Sequence, residues 1–237
     1  MTIQDITEES ASARFSSQLA ELQRFYGLLA APPHDAFALF TWEVLSRQSL
    51  PAGRDAAMAD LRRAHILTPD AVVRAPRVAL EAAVAPAGSS VELRLDALKA
   101  GAEVFRRHRT LPVTIRGSLP KARRSLRLLP QLDPPGAHRM LLFAGDHPVV
   151  PVDARVQRVV ARLGYASSEK PSFRRTRLTL GALLGGERDA FRRAFIYLSH
   201  HGSLTCTDRD PHCRVCPLAP ECPAALRALQ RSRQSEP

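Results

Sequence analysis

All four cysteines lie in Cys206-Thr-Asp-Arg-Asp-Pro-His-Cys213-Arg-Val-Cys216-Pro-Leu-Ala-Pro-Glu-Cys222, and the rest of the 237-residue chain contains none. Four thiolates this close together can surround one soft metal centre, and an all-thiolate set suits a [4Fe-4S] cluster or a structural zinc ion. Zinc sites usually combine two short C-x2-C pairs with a longer loop between them, whereas this stretch has one such pair. Two disulfides are the alternative, but the chain has no secretory signature to favour them. The stretch therefore predicts a metal centre.

The charge of the chain indicates a polyanionic partner. The formal net charge is +11 and the isoelectric point is about 10.6. Lysine and arginine in excess neutralise phosphates and release counterions, so nucleic acid is the natural candidate. A basic surface that only keeps the protein soluble explains the charge equally well. No run of eighteen apolar residues is present, so we expect no membrane span and a soluble, cytoplasmic protein that works at the nucleoid.

Helical periodicity runs through most of the chain, and no segment alternates as a strand would. The predicted helices cover residues 12–29, 35–45, 53–64, 69–73, 76–84, 91–108, 120–128 and 137–144, then one that starts at Asp153 and one over 189–200. The residues before Ser12 and after Leu229 are expected to be irregular, and residues 170–177 read as a basic linker. The fold class is predicted to be all-α.

Residues 120–144 predict two helices joined by a turn-rich segment, Leu129-Pro-Gln-Leu-Asp-Pro-Pro-Gly136. The first of these helices is basic and the second is apolar. A few residues later, Val152-Asp153 begins another helix. Considered alone, an aspartate at a helix start is most simply a cap for free backbone N–H groups.

Together these features resemble the endonuclease III-type helix-hairpin-helix DNA glycosylases. The resemblance lies in the cysteine spacing, in its approach through His201-Gly202-Ser203-Leu204-Thr205-Cys206, and in Leu129-Pro130 standing ahead of Val152-Asp153. It implies a [4Fe-4S] cluster held by Cys206, Cys213, Cys216 and Cys222. It also implies a two-lobed fold with a DNA groove between the lobes. One lobe is a helical barrel over residues 34–150, with the helix-hairpin-helix at about 119–145. The other is a cluster lobe made of residues 1–33 and 151–237.

By this resemblance Asp153 is the catalytic carboxylate. Members that also cleave the DNA strand carry a nucleophilic lysine in the hairpin, 18 residues before the aspartate, and that position is Pro135 here. Proline has no side-chain amine, so Schiff-base chemistry from this position is impossible. The resemblance therefore predicts a glycosylase with weak or absent AP lyase activity.

The segment Trp42-Glu43-Val-Leu-Ser-Arg-Gln48 is similar to one in the adenine DNA glycosylase branch. In that branch the glutamate protonates the departing base, and a glutamine five residues later fills the gap left by base flipping. Glu43 and Gln48 keep this interval, whereas Ser46 replaces a leucine of the motif. A solvated helical glutamate is the plain alternative for Glu43.

Further DNA contacts are expected from Gln131 and Gly136 in the hairpin, and from Arg155, Arg209 and Arg214. The family uses Gly-x-Gly in the hairpin to bring backbone N–H groups close to a phosphate. Gln131 and Asp133 stand at those two positions, and Pro134 and Pro135 follow without amide protons. The hairpin is therefore expected to be weakened or remodelled as a phosphate anchor.

Three hypotheses follow for function. The first is a monomeric base-excision glycosylase that acts on double-stranded DNA with a damaged, mismatched or abasic site. The second is a catalytically feeble DNA-binding protein on the same scaffold, which recognises abasic or distorted DNA. The third is a basic protein stapled by zinc and unrelated to DNA repair. The residues that read a flipped base have no local signature, so the sequence does not name the lesion.

Overall fold

The computed structural model describes residues 3–166 and 172–234, and within these ranges it contains helices and no strands. Thirteen α-helices occur in the described ranges: α1 (Ile3–Tyr26), α2 (Ala36–Ser46), α3 (Pro51–Arg63), α4 (Pro69–Arg74), α5 (Arg77–Val84), α6 (Val91–Arg107), α7 (Leu111–Arg116), α8 (Leu119–Leu126), α9 (Pro134–Arg139), α10 (Ala154–Arg162), α11 (Phe173–Leu183), α12 (Arg188–Leu204) and α13 (Pro223–Gln234). A π-helical turn, Met140–Ala144, continues α9, and short 3-10 turns lie at Ala85–Ala87, Cys213–Val215 and Ala219–Glu221. The all-α prediction is confirmed.

The chain divides into two compact units, Pro32–Val149 and the combination of Met1–Ala31 with Val150–Pro237. In Pro32–Val149, helix α2 is the centre, and it packs against α3, α6 and the π turn. The Asp35 carboxylate starts this helix because it accepts from the amide of Ala38 at 2.8 Å. Phe37 and Phe40 of α2 meet Phe105 of α6, with ring centroids 5.2 and 6.1 Å apart. An apolar centre of aromatic rings therefore holds this unit together.

In the unit formed by Met1–Ala31 and Val150–Pro237, α12 is the common neighbour. It packs against both α1 and α10, and α11 also lies against α1. Helix α10 buries Val156, Val159 and Val160 on one face, as its periodicity predicts. Phe15 of α1 is fully buried and meets the ring of Tyr165 edge to face. The N-terminal helix is thus an integral part of this unit.

Three expectations about irregular segments are wrong. Of residues 170–177, Lys170 and Pro171 lie outside the described residues, but α11 begins at Phe173 and is capped by Ser172. The arginines of this segment had hidden a stripe of buried residues spaced by four, Thr176, Leu180 and Leu184. Helices α1 and α13 also extend through residues 3–11 and 230–234, because neither stretch contains the proline or glycine that would interrupt backbone hydrogen bonding.

No helix within residues 3–166 and 172–234 is both long and apolar enough to cross a membrane.

Gly101 of α6 lies directly against the ring of Phe40. A Cβ at Gly101 would stand 2.0 Å from Cε1 of Phe40, so the ring or the helix must move to admit a methyl group. We expect Gly101→Ala to lower the free energy of unfolding by about 1–3 kcal/mol, measured by urea denaturation. Gly181 of α11 is the control, because nothing lies within 4 Å of its Cβ position. Gly181→Ala should be neutral or stabilise by up to about 1 kcal/mol; equal effects of both substitutions would contradict this account of Gly101.

Candidate functional site

The four cysteines line one cavity of about 170 Å³ at the end of α12. Helix α12 ends at Leu204, and the chain then wraps around the cavity through the 3-10 turns Cys213–Val215 and Ala219–Glu221. All four thiols are free. His201 and Arg162 line the same cavity. The structure therefore brings the four cysteines, which are close in the sequence, together around one cavity.

Two arginines of α10 hold the start of this cysteine loop. Arg158 donates from Nε to the carbonyl of Cys206 at 2.9 Å and from Nη2 to that of Gly202 at 2.6 Å. Arg162 donates from Nη1 to the carbonyl of Thr207 at 2.6 Å and to Sγ of Cys206 at 3.3 Å. These bonds satisfy the carbonyl of Gly202 in the last turn of α12 and the carbonyls of Cys206 and Thr207 that follow the helix. The position of the loop is therefore set by α10.

A second network reaches the cavity from α1. The hydroxyl of Tyr26 lies 2.8 Å from Nδ1 of His201 and 2.5 Å from the hydroxyl of Thr205. On its other side, Nε2 of His201 lies 3.6 Å from Sγ of Cys216. Burial, with a smaller contribution from His200, lowers the pKa of His201 to about 4, so its imidazole is neutral near pH 7. A neutral ring can donate from one nitrogen and accept at the other, which suits this chain of contacts.

Four thiolates around one cavity suit a [4Fe-4S] cluster or a structural zinc ion. Within the described part of the chain, no three histidine, cysteine or acidic side chains are grouped as ligands of one metal ion. Zinc would draw all four sulfurs to about 2.3 Å from one point, whereas a [4Fe-4S] cluster takes one thiolate at each iron. Burial raises the pKa of Cys216 to about 11, so its thiol carries its proton until a metal displaces it.

Asp153 caps α10, the helix that holds the cysteine loop. Its Oδ1 accepts from the amides of Arg155 at 3.0 Å and of Val156 at 2.9 Å. The preceding backbone is extended, with φ −103° and ψ 179° at Asp153. These two hydrogen bonds from backbone amides restrain the position of Oδ1. Asp153, Arg158 and Arg162 thus share one short, rigid helix.

Glu43 lies in a buried ion pair. Both of its carboxylate oxygens accept from Arg139 of α9, from Nε and Nη2, each at 2.6 Å. The side chains are 6% and 9% exposed, so the pair is almost fully removed from water. A proton added to either oxygen would break one of the two bonds. The solvated glutamate considered for this position is therefore excluded.

The hairpin between α8 and α9 carries its own anion. The carboxylate of Asp133 accepts from the amide of Gly136 at 2.7 Å and caps α9. The two residues between them are prolines and have no N–H to offer. Gln131 has a positive φ of 55°, and its carbonyl accepts from Arg47 at 2.7 Å. The amino end of α9, where a phosphate could bind, is thus occupied by Asp133.

The remaining predicted DNA contacts are distributed over both units. Gln48 is exposed, has a positive φ of 52°, and accepts from the hydroxyl of Ser90 at 3.1 Å. Arg209 and Arg214 are exposed on the cysteine loop, and Arg155 is half-buried on α10. The structure therefore groups Asp153, Arg155, Arg209, Arg214 and the four cysteines in one unit. It groups Glu43, Gln48, Gln131, Pro135 and Gly136 in the other.

Sequence reasoning missed Arg139, the pairing of Arg158 and Arg162 with the loop, and the contact between Tyr26 and His201. Arg139 had a usable signal, because it is a lone cation entering the apolar run Met140-Leu-Leu-Phe-Ala144. A charge placed there must be buried and paired. Tyr26 had none, since it lies 175 residues from His201.

No protein-family model matches the chain. Among curated proteins it is 28% identical over 207 residues to endonuclease III homolog 1, chloroplastic, of Arabidopsis thaliana, covering 85% of this chain and 52% of that protein. It is also 33% identical over 97 residues to the adenine DNA glycosylase of Mycolicibacterium smegmatis, covering 40% of this chain and 32% of that protein. The chain spans about half the length of the two endonuclease III homologues from Arabidopsis thaliana, 52% and 51%.

Among solved structures, a non-covalent endonuclease III–DNA complex superimposes with a TM-score of 0.71 at 21% identity, over 92% of this chain and 98% of that one. A thermostable thymine-DNA glycosylase gives a TM-score of 0.67 at 18% identity over the same shares of the two chains. At these identities the structural likeness establishes the fold, and the curated relatives add similarity in sequence. The chain therefore has the fold of these endonuclease III and thymine-DNA glycosylase structures, and it is similar in sequence to the endonuclease III homologues of Arabidopsis thaliana.

Proposed function

We propose that the protein is a base-excision DNA glycosylase. It flips a damaged or mismatched base out of double-stranded DNA and hydrolyses the N-glycosidic bond, with weak or absent AP lyase activity. The observation that carries the proposal is the carboxylate of Asp153, which two backbone amides hold at the start of α10. Similarity in sequence to endonuclease III homologues supports the same activity.

In this proposal Asp153 stabilises the positive charge that develops at the anomeric carbon as the base departs. It also orients or deprotonates the water that attacks that carbon. A group in this role must keep its position through the reaction. The two backbone N–H groups that donate to Oδ1 hold the carboxylate in place. Arg155, in the first turn of the same helix, and Arg209 and Arg214 on the cysteine loop are proposed as phosphate contacts.

The hairpin position that would carry a lyase nucleophile is occupied by Pro135. No side-chain amine is available there to form a Schiff base with the opened sugar. Water is therefore the proposed nucleophile, and the product is an abasic site in an unbroken strand. Pro32–Val149 is the proposed barrel domain, and the helix-hairpin-helix lies within it.

We assign Cys206, Cys213, Cys216 and Cys222 as ligands of a [4Fe-4S] cluster. The four cysteines line one cavity, and their spacing, which resembles that of the endonuclease III family, supports a cluster over a single zinc ion. When bound, the cluster would fix the fold of the cysteine loop. The chain contributes Arg162, which donates to Sγ of Cys206, and His201, whose Nε2 lies beside Sγ of Cys216. Such contacts to ligand sulfurs orient them and offset their negative charge.

Glu43 was the candidate acid for the departing base, and its buried pair with Arg139 restricts that role. Both carboxylate oxygens already accept from the guanidinium. Glu43 can therefore deliver a proton only after Arg139 withdraws. The ion pair joins α2 to α9. We therefore propose that its main role is to stabilise the hairpin, and that any role in catalysis is secondary.

Two observations favour the second candidate function, a DNA-binding protein with little catalysis. Asp133 caps the N-terminus of α9, where a phosphate would otherwise bind. Arg139 forms an ion pair with Glu43, the second candidate catalytic carboxylate. Both features reduce what the glycosylase scaffold offers for catalysis. Turnover by the wild-type protein separates the two functions.

The first prediction concerns the metal. Protein purified without oxygen should contain about four iron atoms and four sulfides per chain and show broad visible absorption. Cys213→Ser should lose most of the iron. Arg214→Gln, a change at an exposed neighbour in the same loop, should retain it. Stoichiometric zinc without visible colour would contradict the cluster assignment.

The second prediction concerns catalysis. With end-labelled duplexes carrying oxidised pyrimidines, uracil or thymine mismatches, adenine opposite oxidised guanine, or alkylated purines, we expect strand breaks at one or more lesions that appear only after alkali. Asp153→Asn should lower this base release by about 10²–10⁴-fold while binding persists, because asparagine still caps the helix but carries no charge.

Asp35→Asn is the matched control, because Asp35 caps α2 in the same way. It should leave base release unchanged. Breaks without alkali would contradict the assignment of Pro135. Binding to an abasic duplex with no base release from any substrate would favour the second function.

The third prediction concerns the buried pair. Arg139→Met should lower the free energy of unfolding by about 3–5 kcal/mol, because it leaves the Glu43 carboxylate buried without its cation. Glu43→Leu combined with Arg139→Met should recover most of that loss in chemical denaturation. A double variant that loses the sum of both single effects would show that the pair is not a coupled unit.

A further inference from the structure

Helix α8 carries an exposed basic face. Ala122 and Leu126 are buried on one side of it, whereas Lys121, Arg123 and Arg124 are exposed on the others, and Arg127, which directly follows the helix, is exposed as well. Residues 121, 124 and 127 are three apart and follow each other along the helix surface. The four cations therefore cover most of the solvent side of a helix that is only two turns long.

These cations have no acidic partners. From Val104 to Leu132 the chain contains eight lysines and arginines and no aspartate or glutamate. Among the described residues, none of these four side chains takes part in a hydrogen bond or ion pair, in contrast to Arg77, which bonds Glu81 and Glu92. A surface of one sign without internal compensation raises the local concentration of anions.

Stabilisation of α8 itself does not account for this charge. Cations near a helix C-terminus interact favourably with the helix dipole, and Arg123 and Arg124 lie in the last turn. Lys121 lies in the first turn, where the same dipole makes a cation unfavourable. No acidic residue stands in that turn to compensate it. The stability of the helix therefore does not explain the charge at the start of α8.

The hairpin that follows α8 explains the need for these cations. Asp133 caps α9, so a phosphate approaching that helix end meets a carboxylate. Pro134 and Pro135 provide no amide donors. A DNA strand that runs past this hairpin must therefore have its charge neutralised by neighbouring groups. The basic face of α8 ends four residues before Gln131 and is continuous with the hairpin in sequence.

We propose that Lys121, Arg123, Arg124 and Arg127 form a binding surface for the phosphate backbone of duplex DNA. Side-chain cations on the first helix of the helix-hairpin-helix replace contacts that the capped second helix does not offer. This inference rests on the proposed function, since it assumes a DNA substrate. It predicts that the positive charge of α8 raises affinity for DNA whatever the base sequence of the DNA.

The test is the salt dependence of duplex binding. Fluorescence anisotropy with the full-length, cluster-containing protein is measured between 50 and 200 mM NaCl for a labelled duplex with an abasic-site analogue and for the undamaged duplex. The variant is Lys121→Gln with Arg124→Gln. The control is Arg62→Gln with Arg74→Gln, which removes the same charge from exposed positions of the same unit. Circular dichroism melts check that both variants are folded.

The slope of log affinity against log salt should fall by about 1.8 for the α8 variant, which corresponds to two lost phosphate contacts. The loss should be the same for both duplexes, because phosphate contacts carry no sequence information. The control should keep the wild-type slope. An unchanged slope for the α8 variant, or an equal loss in the control, would overturn the inference while leaving the proposed function intact. Absence of duplex binding by the wild-type protein would overturn both.

Discussion

The hold of α10 on the cysteine loop is the interaction on which the candidate site depends. Arg158 and Arg162 bond the carbonyls of Gly202, Cys206 and Thr207, and the start of the same helix is fixed by Asp153. A guanidinium has five donors in a rigid plane, so two arginines can satisfy several loop carbonyls without water. The candidate catalytic carboxylate and the cysteine loop are therefore held by one element of nine residues.

The sequence was informative wherever spacing along the chain determines structure. Turn residues and helical periodicity were sufficient to predict an all-α fold, and the cap at Asp153 follows from the valine stripe behind it. Periodicity failed at α11, where arginines obscured the stripe Thr176, Leu180 and Leu184. Periodicity also did not predict the π turn after α9. All five residues of that turn are buried, so they show no alternation of buried and exposed positions from which a period could be read.

Contacts between distant residues could not be predicted from one sequence. Glu43 was assigned to chemistry by a local motif, and its partner Arg139 lies 96 residues away. The motif fixes the position of the carboxylate but not what faces it. The same holds for Tyr26 and His201, whose contact depends on how α1 packs against α12. Local patterns locate candidate residues, whereas their electrostatic surroundings require the folded structure.

Gly202 determines how closely α10 and α12 approach each other. A Cβ at this position would stand 2.9 Å from Cβ of Arg155 and 3.1 Å from its carbonyl, so the helices meet almost backbone to backbone there. Their separation is set by van der Waals radii and not by the choice of rotamers. Thermal displacements of Asp153, two residues before Arg155, should therefore be correlated with those of α12.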